Sequence, residues 1–502
     1  MSVVLDGSAL SIEEVVAVAV HGATVELGEQ LVGRMEPAMD LVARVVADDE
    51  TVYGITTGFG ALANTRIPTE RASEMQIDLL RSHACGVGPL LEREVVRAML
   101  LCRARTLAQG YSGVRPVIVE RLVELLNRDI TPAVPSQGSV GASGDLAPFA
   151  HLTLPLIGEG EILTTDGEVR PAAEVLAEAG IEPITLGPKE GLSLLNGTEG
   201  MLALGCLAVH RARNLVDADD SACALSVEAL MGSSRPFEPR IHELRPHPGQ
   251  IESARVIAGL LEGSEIDASH HDDFTHKVQD AYSLRCAPQV HGAARDTITF
   301  AEEVFTRELG AVVDNPIVFA ADGDVVSGGN FHGQPLAFVL DYLAIAVTEL
   351  GSISERRTDR LLDPDRSSGL TPFLANDPGV ESGYMLSQYT AAAIVAENRV
   401  LSHPASVESI PTSGLQEDHV SMGFGAARKL HQVLTNTARV VAVELMCAAQ
   451  GIEQRDKCPA PGTARVKQTV RSVCAPLTQD RPPGPDIERI ASLIEEGAFS
   501  TR

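Results

Sequence analysis

Leu336, Leu340, Leu343, Val347 and Leu350 recur in alternating steps of four and three. A chain that keeps this spacing is a helix with one apolar seam. Leu430, Leu434, Thr437, Val441, Leu445, Ala448 and Ile452 extend a second such face. Helices of about 25 to 30 residues rise roughly 40 Å, and rods of that length bury their seams against one another, often across subunits. From residue 200 onward the sequence is mainly helical, so the fold class is mostly α. The 502 residues give room for more than one core.

The N-terminal part is built of shorter pieces. Ser11-Ile12-Glu13-Glu14 fits a capping box opening a helix through Val15, Val16 and Ala19. Residues 94–107 and 116–126 carry helical apolar spacing. Residues 161–169 read as a hairpin turning at Asp166-Gly167, followed by a short helix over 171–179 that Gly180 stops. A second Asp-Gly turn lies at Asp322-Gly323. The Pro-rich break at 481–485 precedes a last short helix carrying Ile487, Ile490, Leu493 and Ile494. No repeat or low-complexity linker interrupts the chain.

A formal net charge of -28 argues against nucleic acid or an anionic membrane as partner, because phosphate binding needs clustered Lys and Arg. The eight cysteines are scattered, without C-x-x-C or zinc spacing, and read as reduced thiols. The first residues lack the sections of a signal peptide. The best apolar run, 335–347, is interrupted by Asp341. The expected location is the cytoplasm.

The chemistry centres on 133–151, Ala-Val-Pro-Ser-Gln-Gly-Ser-Val-Gly-Ala-Ser-Gly-Asp-Leu-Ala-Pro-Phe-Ala-His. Without a Cβ, Gly144 can bend its amide nitrogen toward the Ala142 carbonyl with least resistance. A five-membered ring could then close around Ser143. Loss of water across the serine Cα–Cβ bond would leave a methylene conjugated to a carbonyl. That is an electron sink of a kind standard side chains lack. Ser143-Gly144 fits neither a G-x-S-x-G elbow nor a phosphate loop, and ordinary Ser-Gly-Asp clusters are turns.

Residues 138–148 as a whole resemble the signature of the histidine and phenylalanine ammonia-lyase family. The resemblance implies that Ala142, Ser143 and Gly144 are the precursors of a 4-methylidene-imidazol-5-one (MIO) group. Residues 53–60, Tyr-Gly-Ile-Thr-Thr-Gly-Phe-Gly, resemble the mobile loop of the same lyases, with Thr56 where Asn is frequent. Tyr53 would be the general base, although a free phenol titrates near 10, so the site would have to favour phenolate. Ser82-His83 resembles the form found in histidine ammonia-lyases, with Cys85 in place of the usual Ala. Leu194-Leu195-Asn196-Gly197-Thr198 resembles the family's Asn-Gly-Thr motif, in which Asn196 would hydrogen-bond substrate and cofactor.

Residues 278–289 resemble a second family signature. Arg285 is a natural bidentate clamp for an amino-acid carboxylate. Gln279 and Tyr282 would line the site, Tyr282 as a second phenol able to pass protons or hold the cofactor. Phe331 would be a wall of the substrate pocket. Residues 409–420 resemble a third signature, in which Glu417 stands where aryl-alanine lyases place Gln. A carboxylate there can pair with an ammonium or an imidazole. His270, His271, Asp272, Asp273 and His276 offer no convincing metal geometry, and no metal is expected.

The matching motifs run in order from Tyr53 to His419. They imply elimination of ammonia from L-histidine to give trans-urocanate in histidine degradation, with His83, Asn196, Gln279, Arg285, Phe331 and Glu417 on the substrate. They also imply a long central helix bundle of the fumarase/aspartase-like type. Residues 1–200 would form an N-terminal MIO-bearing domain and 201–502 the bundle and C-terminal helices. A homotetramer with shared active sites follows from the same likeness, and the Leu340 and Leu343 face is expected to support it, so that charged substitutions there abolish tetramer and activity together. A tyrosine or phenylalanine lyase, or an aminomutase, would share the cofactor without needing Glu417. An inactive helical scaffold would need none of these residues.

Overall fold

The Ser11 Oγ accepts the Glu14 amide at 3.1 Å while the Glu14 carboxylate accepts the Ser11 amide at 2.8 Å. This capping box opens the first helix, Ile12–Ala19. The computed structural model describes residues 2–270 and 278–500. It is mostly α, with four long helices at Glu199–Ala229, Ala287–Glu308, Gln334–Leu362 and Gly423–Glu453.

The chain divides into two units, with each boundary inside one of the long helices or at residues 404–405. The first comprises residues up to Leu207, with Glu302–Leu340 and Ala405–Arg428. Its centre is the helix Arg93–Ala108, buried from Val95 through Ala108. Ile12–Ala19 and Pro116–Asn127 pack against it. Small sheets edge the unit. Ser2–Leu5 pairs parallel with Thr24–Leu27, and Val87–Leu90 antiparallel with Pro135–Gln137. Glu161–Leu163 and Val169–Pro171 form the expected hairpin, and Ala172–Ala179 ends at Gly180, whose φ is +66°. Asp322-Gly323 joins the strands Ile317–Phe319 and Asp324–Val326.

The second unit comprises Ala208–Ala301, Asp341–Pro404 and the chain from Lys429. It is a helix bundle whose interior carries charge as well as apolar side chains. Arg357 is wholly buried and donates to Glu444 at 2.5 and 2.8 Å and to Asp219. His291 lies between Asp220 at 2.7 Å and Asp219 at 3.2 Å. Burial pushes the Asp219 carboxyl up to about 6, against the pull of His291 and Arg357.

The seam residues Leu336, Leu340, Leu343, Val347 and Leu350 are all wholly buried within the chain. Leu340 and Leu343 therefore face inward and are not a surface for another subunit, which corrects the expectation above. The same helix shows an apolar face outward instead, with Phe338 56%, Tyr342 48% and Ile345 46% exposed. These three follow the same steps of four and three. By length and composition Gln334–Leu362 could cross a membrane, but 67% of its most apolar stretch is buried inside the protein. That burial is the pattern of a core helix.

Candidate active site

The backbone around Ser143 is pinned to the Asn-Gly-Thr segment. The Gly197 amide donates to the Ser143 carbonyl at 3.2 Å, and the Asp145 amide donates to the Gly197 carbonyl at 2.8 Å. Gly144 lies between these bonds at φ +75°. A Cβ on it would stand 1.9 Å from the Gly197 oxygen, so this position accepts only glycine. Ala142 is 9% exposed. The bend leaves Ser143 half-buried, its hydroxyl donating to Asn196 Oδ1. The tripeptide fits an Ala-Ser-Gly precursor, because the glycine is forced and the serine hydroxyl is held.

Buried polar groups support this floor. Asp145 accepts from the Met201 amide at 2.7 Å and from Ser139 at 2.9 Å. Burial nevertheless pushes its carboxyl up to about 7. Arg103, in the middle of the central helix, donates to the Asn196 carbonyl at 2.9 Å, to the Ser193 carbonyl at 3.2 Å and to Glu199 at 2.6 Å. Its guanidinium also lies 4.5 Å from the centre of the Phe149 ring. Asn196 Nδ2 donates to the Asn315 carbonyl at 2.8 Å.

His83 and Glu417 line one cavity of about 490 Å³, together with Phe59, Gly60, Ser82 and Ser413. His83 ends the helix Ala72–His83, and Ser82 Oγ stands 3.2 Å from its Nδ1. Burial lowers the His83 imidazole below its ordinary value, with Glu417 acting weakly the other way. Glu417 accepts from Thr412 Oγ1 at 3.1 Å, and Ser413 Oγ accepts the Ala61 amide at 3.1 Å. Tyr53 adjoins this cavity, its hydroxyl accepting the Gly60 amide at 3.2 Å. Burial raises its phenol above the ordinary value; the Gly60 bond lowers it, and the Glu417 charge raises it further. The surroundings within this chain thus disfavour phenolate, the reverse of what a base there needs.

The remaining site residues fall into two groups. Phe331 is half-buried in the turn before Gln334–Leu362, and the next residue, His332, stacks on His419 with ring centres 5.7 Å apart. Gln279, Tyr282 and Arg285 belong to the second unit. Tyr282 is 71% exposed, and the Arg285 guanidinium lies 4.5 Å from its ring centre while donating to the Asp280 carbonyl at 3.0 Å. His271, Asp272, Asp273 and His276 lie outside the described residues, and His270 Nε2 meets the Gly232 carbonyl at 3.0 Å.

One departure from the family pattern, Thr56, has a local explanation. Thr56 is buried, accepts the Val52 amide at 2.9 Å and donates to the Glu50 carbonyl at 2.5 Å, so its hydroxyl closes the turn that begins the loop. Phe149 is the ring beneath Arg103. Arg103, Glu199, Lys189 and Asp314 were not singled out from the sequence. No sequence signal sets Arg103 apart, because Arg97 and Arg105 lie in the same helix and are buried as well. Its partner Glu199 follows the Asn-Gly-Thr motif directly.

Residues 10–472 match the family model for aromatic amino acid lyases. The chain is 53% identical to a histidine ammonia-lyase of Gloeobacter violaceus, over 98% of this chain and 96% of that one. Among solved structures it resembles a histidine ammonia-lyase from Trypanosoma cruzi, with TM-score 0.91, 43% identity, and coverage of 99% and 94%. It also resembles a tyrosine aminomutase from Streptomyces globisporus, with TM-score 0.94, 40% identity, and coverage of 99% and 98%. With its forced glycine beside a held serine and its match along most of its length, the chain belongs to the aromatic amino acid lyase family.

Proposed function

We propose that this chain is a carbon–nitrogen lyase that eliminates ammonia from L-histidine to give trans-urocanate, using an MIO group made from Ala142, Ser143 and Gly144. The observation that carries the substrate assignment is His83 and Glu417 on one cavity, two groups suited to an imidazole. The identity to histidine ammonia-lyases supports it.

Closing the Gly144 nitrogen onto the Ala142 carbonyl carbon, and losing the Ser143 hydroxyl with its α-hydrogen, expels two waters. The methylidene so formed supplies the electron sink for elimination. The chain's own residues then bind, orient and move protons. Tyr53 takes the β-proton. Because its phenol is held above the ordinary value, turnover should climb with pH over the neutral range. His83, kept neutral by burial, offers one ring nitrogen as donor and the other as acceptor. Glu417 pairs with the imidazole or the departing amine. Arg285 clamps the carboxylate, Asn196 hydrogen-bonds the substrate, Gln279, Tyr282 and Phe331 line the pocket, and holding substrate at the electrophile supplies proximity.

A cytoplasmic homotetramer with active sites shared between subunits is part of the same proposal. The exposed Phe338, Tyr342 and Ile345 are the kind of apolar surface that assembly buries. The test is near-ultraviolet absorbance with L-histidine, L-tyrosine and L-phenylalanine in turn, with Ser143→Ala as control. Urocanate from histidine alone, lost in the variant, is the expected result. Cinnamate, coumarate or a β-amino acid in its place would favour an aryl-alanine lyase or an aminomutase, and silence on all three a scaffold.

A further inference from the structure

Lys189 and Asp314 are wholly buried and meet at 2.8 Å. Desolvation of two charges offsets much of their attraction, so a buried ion pair is a weak source of stability. This one has a geometric consequence. Lys189 Nζ donates to Ser193 Oγ at 2.9 Å, and Ser193 Oγ donates to Asp314 Oδ2 at 2.9 Å. The other carboxylate oxygen, Oδ1, accepts the Asn315 amide at 2.7 Å and faces Asn196 Nδ2 at 3.5 Å. The same Nδ2 donates to the Asn315 carbonyl at 2.8 Å. The pair therefore fixes two acceptors, Asp314 Oδ1 and the Asn315 oxygen, on one side of the Asn196 amide. An amide facing two acceptors turns its NH₂ toward them. Its carbonyl oxygen is left at the Ser143 hydroxyl, which donates to it.

We propose that the Lys189–Asp314 pair is a positioning device for Asn196, turning the amide so that its oxygen holds the Ser143 hydroxyl while the Ala142-Ser143-Gly144 precursor matures. The inference rests on the maturation proposed above, but not on the identity of the substrate. Lys189, Ser193 and Asp314 act through Asn196 and touch no reacting atom.

The test follows two-water loss by mass in the full-length chain at intervals after synthesis. In Lys189→Met/Asp314→Leu, which removes both charges and the acceptor, water loss should slow by about tenfold, the worth of one well-placed hydrogen bond. Lys189→Met/Asp314→Asn keeps a carbonyl acceptor without charge and should recover most of that rate. In an Asn196→Ala background the Met/Leu change should cost less than about twofold, because coupled groups are not additive. A Met/Leu chain that matures like the wild type, or an equal loss in both backgrounds, would overturn the proposal. If Asn196→Ala alone abolishes water loss, the Met/Asn chain decides, recovery supporting the proposal and no recovery overturning it. If the Met/Leu chain does not fold, Ser193→Ala is compared in the two backgrounds, with a loss confined to the Asn196 background expected and an equal loss contradicting. A wild-type chain that never loses water would instead contradict the maturation itself.

Discussion

Ser143 stands among wholly buried partners, Asn196, Asp145, Arg103 and Glu199, whereas His83 and Glu417 stand half-exposed where residues 53–60 and 412–417 meet. The floor is cross-tied by charge-assisted bonds such as Arg103 to Glu199 at 2.6 Å. The rim is tied by single bonds between loops, such as the Ala61 amide to Ser413 at 3.1 Å. A backbone that must be held bent at one glycine gains from rigid, water-free surroundings, in which hydrogen bonds are strong. A pocket that admits a polar amino acid needs an edge that can open, and loops are the usual place for one. The two demands conflict within one segment, and the chain meets them with separate segments.

Gly144→Ala would break the floor most severely. Its Cβ would meet the Gly197 oxygen at 1.9 Å, in a left-handed backbone. Backbone strain alone costs about 1–3 kcal/mol. The variant should lose activity below detection and show no two-water loss by mass, while a matured, active variant would mean that the contact with Gly197 is dispensable.

Glu417→Gln acts on the rim alone. Losing a charge-assisted hydrogen bond should lower kcat/KM for L-histidine by about tenfold to a hundredfold, with two-water loss unchanged. The pH profile gives a second readout. Glu417 raises the Tyr53 phenol, so removing its charge lets the phenol ionise at lower pH. If the base is Tyr53, whose deprotonated form is the active one, the ascending limb of kcat/KM should move to lower pH. A limb that stays in place, or moves to higher pH, would separate Glu417 from the base.

The smallest effect is expected from Thr56→Val, which keeps shape and removes the hydroxyl that joins Val52 and Glu50. It should cost about 1 kcal/mol of stability, read as a lowered urea midpoint, and leave maturation intact. Slowed maturation in this variant would show that rim and floor are coupled.

The legible part of the fold was its local part. The Ser11 capping box, the Gly180 stop and the Asp166-Gly167 and Asp322-Gly323 turns are each set by a few adjacent residues. The heptad spacing gave the buried seam correctly, but the surface offered to a partner subunit was sought on that same seam, and a buried stripe cannot also be exposed. The motif segments were readable because each is short and distinctive, and the structure brings two of them, with His83 and Glu417, onto one cavity. Their supporting charges were not. Arg103 meets Glu199 and Lys189 meets Asp314 across long stretches of chain, and an arginine inside a helical run looks the same whether it faces solvent or an asparagine carbonyl. Nor does sequence say that residues 302–340 and 405–428 return to the first unit. The Tyr53 environment is likewise a matter of packing: the loop motif names the phenol, and only its burial beside Glu417 sets the direction of its shift.

The intact mass of the purified chain, set beside that of Ser143→Ala, is the measurement to make first. A wild-type chain lighter than its sequence by two waters, with the variant at its full sequence mass, is the expected result. A wild-type chain at full mass that still releases urocanate from L-histidine would contradict the proposed chemistry, because elimination would then be proceeding without an electrophile built from Ala142, Ser143 and Gly144.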